Sequence, residues 1–171
     1  MKYIQTLFVV FIFVSCQSPK EKLTDEIRKG EAKLYGDSVK TFDRPAAEAV
    51  FKNYITFADT YKDDSISAEY LFKAGDLSNG LGRSTEAISV FDRLRASYPN
   101  HPKSATALFM QGFIYETAVH DKDKAKEKYA EFIQKYPDHK LAPSAKASLD
   151  QINSNLSDEE LIKMFEAKNG K

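Results

Sequence analysis

Apolar side chains return at helical spacing along most of this chain. Val50, Tyr54, Phe57 and Tyr61 share one face, and Ala87, Phe91, Leu94 and Tyr98 repeat the same spacing further on. From Lys22 onward no strand alternation and no hairpin dipeptide between apolar runs interrupts the pattern, which predicts helices throughout. The pattern itself recurs. "YITFADTYKDDSISAEYLFKAGDL", Tyr54 to Leu77, aligns without gaps to "FDRLRASYPNHPKSATALFMQGFI", Phe91 to Ile114, at an offset of 37. A third copy, offset by 38, sets Ala125, Tyr129, Phe132, Tyr136 and Pro137 beneath Ala87, Phe91, Leu94, Tyr98 and Pro99. A period in this range predicts an all-α solenoid of helical hairpins.

The spacing is that of one repeat class. Gly75, then Ala87 and Phe91 four residues later, then Pro99, resembles the tetratricopeptide (TPR) pattern; Gly112, Tyr115, Ala125, Tyr129 and Pro137 match it after one extra residue in the intervening turn. The small residues let the two helices of a hairpin cross closely, and Gly75 is expected against the facing helix near Ala87. Ala74 and Gln111 stand where the pattern has Leu, and Leu94 and Phe132 where it has a small residue. The repeated "YPNH" (98–101) and "YPDH" (136–139) then read as punctuation: Tyr packs back on its helix, Pro stops it, and the last two residues turn the chain.

Repeats need lids, because each hairpin leaves an apolar face bare. "LTDEIRKGEAKLYG" presents Leu23, Ile27 and Leu34 on one face of an opening helix that ends near Gly36. Ser157-Asp158-Glu159-Glu160 is a capping box, followed by Leu161, Ile162 and Phe165 as the apolar side of a closing helix. The expected division is a signal peptide over 1–15, a lipidated Cys and short tether over 16–21, and a helical domain over 22–171. Its repeat units run roughly over 45–67, 68–104, 105–141 and 142–171.

The first sixteen residues differ in kind. A basic start, Met1-Lys2, leads into "YIQTLFVVFIFV", too short for an ordinary membrane span but fitting the apolar core of a secretory signal. "Phe13-Val14-Ser15-Cys16" resembles a bacterial lipobox, although Phe13 replaces the usual Leu; Cys16 is the sole cysteine and the expected site of acylation. No internal disulfide can form, so packing alone holds the exported domain. The other reading is a plain signal peptide with an incidental cysteine.

Charge narrows the partners. Twenty-five basic and 25 acidic residues cancel, which argues against nucleic acid or an anionic lipid surface. His101 and His139 fall in different repeats without Cys or HExxH spacing nearby, so no metal is expected. "DKDKAKEKYAEF" from Asp121 lacks the Gly and terminal Glu of a calcium loop. No GxSxG or phosphate-cradling Gly loop occurs, so neither an enzyme nor a cofactor is expected.

With the lipobox, "SAEYLFKAGDL", "EAISVFDRLRASYPNHPKSATALFMQGFIYE" and "AKEKYAEFIQKYPDHKLAPSAKASL" resemble the TPR outer-membrane lipoproteins typified by BamD/YfiO and the TPR domain of the CpoB/YbgF coordinators. The likeness covers about 45–152 and looks closest to short TPR lipoproteins of Bacteroidota. It implies a lipid-anchored, non-catalytic scaffold on the periplasmic face of the outer membrane, with a protein or peptide partner in the cell envelope. An accessory factor or enzyme of cell-wall remodelling is the alternative.

Arrays of this kind present the first helix of each hairpin to a partner. On that face the counting places Glu69, Phe72, Asp76 and Asn79, then Thr106, Phe109, Phe113 and Glu116. Phe72, Asp76, Phe109, Phe113 and Glu116 form the candidate binding set, suited to an apolar, basic segment. Equally, Phe72 and Phe109 can fill gaps between helices. TPR domains that clamp a terminal carboxylate place Lys and Asn where this chain has Phe72 and Asp76, and an acid there would repel a carboxylate.

Overall fold

In the computed structural model, which describes residues 17–36 and 41–154, the repeat is written most plainly in the turns. The helices are α1 (Pro19–Tyr35), α2 (Arg44–Thr60), α3 (Ile66–Gly80), α4 (Ser84–Ser97), α5 (Pro102–Ile114), α6 (Lys122–Lys135) and α7 (Ala142–Ser154). Among the described residues there is no strand, and each helix packs on those before and after it. The result is the expected all-α array, with α1/α2, α3/α4 and α5/α6 as successive hairpins and α7 laid on α6.

Three turns join the hairpins, and all three are built alike. Tyr61, Tyr98 and Tyr136 end their helices by donating backbone N–H groups to Phe57, Leu94 and Phe132 at 2.8, 2.9 and 2.8 Å. Three residues on, the N–H groups of Asp64, His101 and His139 return to those tyrosine carbonyls at 3.0, 3.0 and 3.1 Å. The side chains of the same three residues then accept from the next helix: Asp64 Oδ1 from Ile66 N at 3.0 Å, His101 Nδ1 from Lys103 N and His139 Nδ1 from Leu141 N, both at 3.2 Å. Each satisfies a backbone donor that the first turn of a helix leaves free. Ser67 and Ser104 hydroxyls lock the first two turns by donating to the Tyr61 and Tyr98 carbonyls at 2.6 and 2.5 Å. The two histidines therefore do the work of an aspartate.

The opposite turns show where the extra residue of the third copy goes. Between α3 and α4 the chain reverses at Gly82, whose φ of 79° is left-handed. Between α5 and α6 the helix widens into a π turn over Tyr115–Val119, and His120 takes the left-handed position at φ 61°. The Asp121 N–H reaches back to the Tyr115 carbonyl at 2.9 Å. A widened turn absorbs one residue without shifting the register of α6 on α5.

Close crossings are made by glycine. A Cβ on Gly75 would lie 2.6 Å from Phe91 Cε1, and one on Gly112 would lie 2.9 Å from Tyr129 Cδ1. Gly75 therefore meets the Phe91 ring, one turn beyond the expected Ala87, because the aromatic ring fills the space between the helices. Gln111 occupies its Leu position fully buried and fully bonded. It donates to the Ile88 carbonyl at 3.1 Å and to Asp92 Oδ1 at 2.7 Å, and accepts from Arg95 at 2.8 Å. Arg95 also reaches Glu131 at 2.5 Å, bolting α4, α5 and α6 together. A buried amide is tolerated only when paired in this way.

At the N-terminus, Ile27 and Leu34 are buried and Leu23 packs beside them. Helix α1 begins inside the stretch read as a tether, since Ser18 and Glu21 form a reciprocal capping box: Ser18 N–H to Glu21 at 2.7 Å, Glu21 N–H to Ser18 Oγ at 3.2 Å. Cys16, the Ser157 capping box and the Leu161, Ile162, Phe165 face lie outside the described residues.

Candidate functional site

The first helices of the hairpins, α1, α3 and α5, carry the residues in question. Phe72 of α3 is half-buried, its ring 5.6 Å from Phe91 and capped by the Lys103 ammonium at 4.7 Å. Phe109 of α5 is also half-buried, 5.7 Å from both Tyr129 and Phe132. Each inner ring thus contributes to packing while one side remains reachable. Phe113, one turn further along α5, is 41% exposed. Asp76 is exposed, and no hydrogen bond or ion pair holds it among the described residues. Glu116, in the π turn, is engaged: it accepts from the Tyr129 hydroxyl at 2.7 Å.

Helix α1 adds a wall. A cleft of about 510 Å³ opens between α1 and α3, lined by Arg28, Glu31, Tyr35, Tyr54, Lys73 and Asp76 among others. Glu31 accepts from both the Tyr54 hydroxyl and Lys73 Nζ at 2.7 Å. Burial alone would raise the Glu31 pKa, but these two bonds and the Lys73 charge outweigh it and hold the carboxyl below its ordinary value. Burial, then the bond to Glu31, pushes the Tyr54 phenol far up, so it is a permanent donor. Tyr35, 65% exposed, stands at the mouth, where partial desolvation and then the charges of Asp76 and Glu31 raise its pKa. The cleft thus combines an exposed aromatic ring with a carboxylate, Asp76, that has no partner among the described residues. That pairing suits a cationic side chain on an apolar segment.

Counting along the second and third repeats did not reach Tyr35, Glu31 or Arg28. The tyrosine–glutamate bond of the third hairpin spans 13 residues and that of the first spans 23, because a longer link joins α1 to α2. A fixed offset steps past it. The usable signal was chemical: a Glu on the apolar-striped opening helix, with a Tyr on the next.

Repeated hairpins, a shared turn and a face built by the first helix of each hairpin define a TPR-type helical repeat protein. Residues 81–171, just over half of the chain, match the model of the family described as YfiO: Outer membrane lipoprotein, and the chain belongs to that family. That family is one of outer-membrane lipoproteins. No match is found among curated proteins.

Proposed function

We propose that this lipoprotein is a non-catalytic scaffold, acylated on Cys16, that holds a segment of an envelope protein across the α1–α3–α5 face. The observation that carries this reading is Asp76 on α3, which has no hydrogen bond or ion pair among the described residues, beside the exposed Tyr35, with the exposed Phe113 on the neighbouring α5. A partner segment offering one apolar and one basic side chain would fill both needs, with the half-covered rings of Phe72 and Phe109 as its floor. On this reading the partner belongs to outer-membrane assembly or envelope coordination on the periplasmic side, which membership of an outer-membrane lipoprotein family supports.

Photocrosslinking from position 35, at the exposed mouth of the cleft, in whole cells, followed by identification of the captured protein, tests the proposal. A discrete envelope protein is expected, its capture lost on combining Phe113→Ala with Asp76→Lys while the thermal melt is unchanged. Capture that survives the double substitution would move the site elsewhere. A captured wall-modifying enzyme would recast the protein as an accessory of cell-wall remodelling.

A further inference from the structure

The turns at 61–65, 98–101 and 136–141 share one edge of the array, since each follows the second helix of a hairpin. The start of α1 joins that edge: Lys20 pairs with Asp64, and its ammonium lies 5.7 Å over the Tyr61 ring. The Tyr98 hydroxyl donates to the Lys62 carbonyl at 2.6 Å, stitching the second turn to the first. The opposite edge carries Gly82 and His120. Helices of 13 to 17 residues separate the two edges, and at 1.5 Å per residue that is roughly 20–25 Å.

The capping box leaves almost no slack beside the anchor. Ser18 is already the cap of α1, and only Gln17 stands between it and Cys16. Even a fully extended chain keeps the two Cα atoms within roughly 7 Å of each other. An acylated Cys16 sits at the bilayer interface, because its chains are buried in the leaflet.

We infer that the 61–65, 98–101 and 136–141 edge rests on phospholipid headgroups, with α1, α3 and α5 standing along the membrane normal and their N-termini inward. The inference rests on acylation of Cys16. The exposed residues of this edge carry both signs, Lys62 beside Asp63 and Asp138 near Lys140, with the partly exposed Ile66 between turns and helix. That mixture fits a zwitterionic headgroup layer better than a strongly anionic one. The cleft between α1 and α3 then opens sideways, and a segment crossing from Tyr35 to Phe113 runs parallel to the bilayer.

The test exploits Cys16 being the sole cysteine and consumed by acylation, so one introduced cysteine gives one label. Full-length mature lipoprotein would be reconstituted into phosphatidylethanolamine–phosphatidylcholine vesicles bearing a headgroup quencher. Fluorophores would be placed at Asp63→Cys, Asn100→Cys and Asp138→Cys on one edge, and Gly80→Cys and Ala118→Cys on the other. Quenching several-fold stronger at 63, 100 and 138 is expected. Equal or reversed quenching, in protein that floats with the vesicles, would overturn the orientation alone. Wild-type protein that does not float, or a Cys16→Ser variant that does, would overturn the anchor and the orientation together.

Discussion

The Tyr129 hydroxyl donates to Glu116 Oε2 at 2.7 Å and so ties the second helix of the third hairpin to the end of its first. Tyr54 and Glu31 make the same bond in the first hairpin, also at 2.7 Å, whereas the middle hairpin has Phe91 at the equivalent place. Tyr129→Phe keeps the ring packing against Gly112 and removes this bond together with the one that Ser148 makes to the same hydroxyl. Because Glu116 is half-exposed and water can replace the donor, the expected loss is about 1 kcal/mol in denaturant unfolding. An unchanged midpoint would mean that the hydroxyl's bonds contribute nothing.

Glycine substitutions should split by position. Ala in a helix is ordinarily better than Gly by about 0.5–1 kcal/mol. At Gly80, where an added Cβ meets nothing within 4 Å, Gly80→Ala should raise the melting temperature. At Gly75 and Gly112 the methyl would press into the Phe91 and Tyr129 rings, so the sign reverses, and Gly75→Leu should cost about 1–3 kcal/mol. Three substitutions moving the melt in one direction would contradict the assigned crossings.

The turn histidines give a rescue experiment. His101→Ala removes a cap and should cost about 0.5–2 kcal/mol, as cap losses do. His101→Asp should restore most of it, since Asp64 does the same job one repeat earlier. His120 behaves oppositely: its left-handed φ of 61° is disfavoured for a side chain, and His120→Gly should stabilise by about 1 kcal/mol. Calorimetry on the three variants reads all of this.

Stability should fall in acid through identifiable carboxylates. Burial opposes ionisation of Glu131, but the Lys135 hydrogen bond and the Arg95, Lys135 and Lys128 charges prevail, and its pKa lies below the ordinary 4.5. Glu31 is lowered likewise. A depressed folded-state pKa means that the unfolded chain binds protons first. The stabilisation is therefore complete above the unfolded value and drains away below about pH 4.5 as pH approaches the folded value. Glu131→Gln should flatten part of that acid slope in urea titrations from pH 6 to 3. An identical slope in wild type and variant would remove Glu131 from the account.

Helical content, the hairpin period and the two Tyr-Pro terminators at 98–101 and 136–139 were legible in the sequence by itself, because each depends on residues within a few positions of one another. Apolar spacing such as Tyr54, Phe57 and Tyr61 specifies a helix and its inner face, and Tyr-Pro followed by a capping side chain specifies where the helix ends. Of the candidate binding set, the helix face was legible but the state of each member was not. Only the tertiary structure decided that Lys103 covers Phe72, that Phe109 leans on Tyr129 and Phe132 while Phe113 stays exposed, and that Glu116 is engaged while Asp76 has no partner among the described residues. It also decided that α1 walls a cleft and that a π turn swallows the extra residue of the third repeat. Those outcomes depend on helices far apart in the chain competing to cover the same side chain, and a local pattern carries no record of which one arrives.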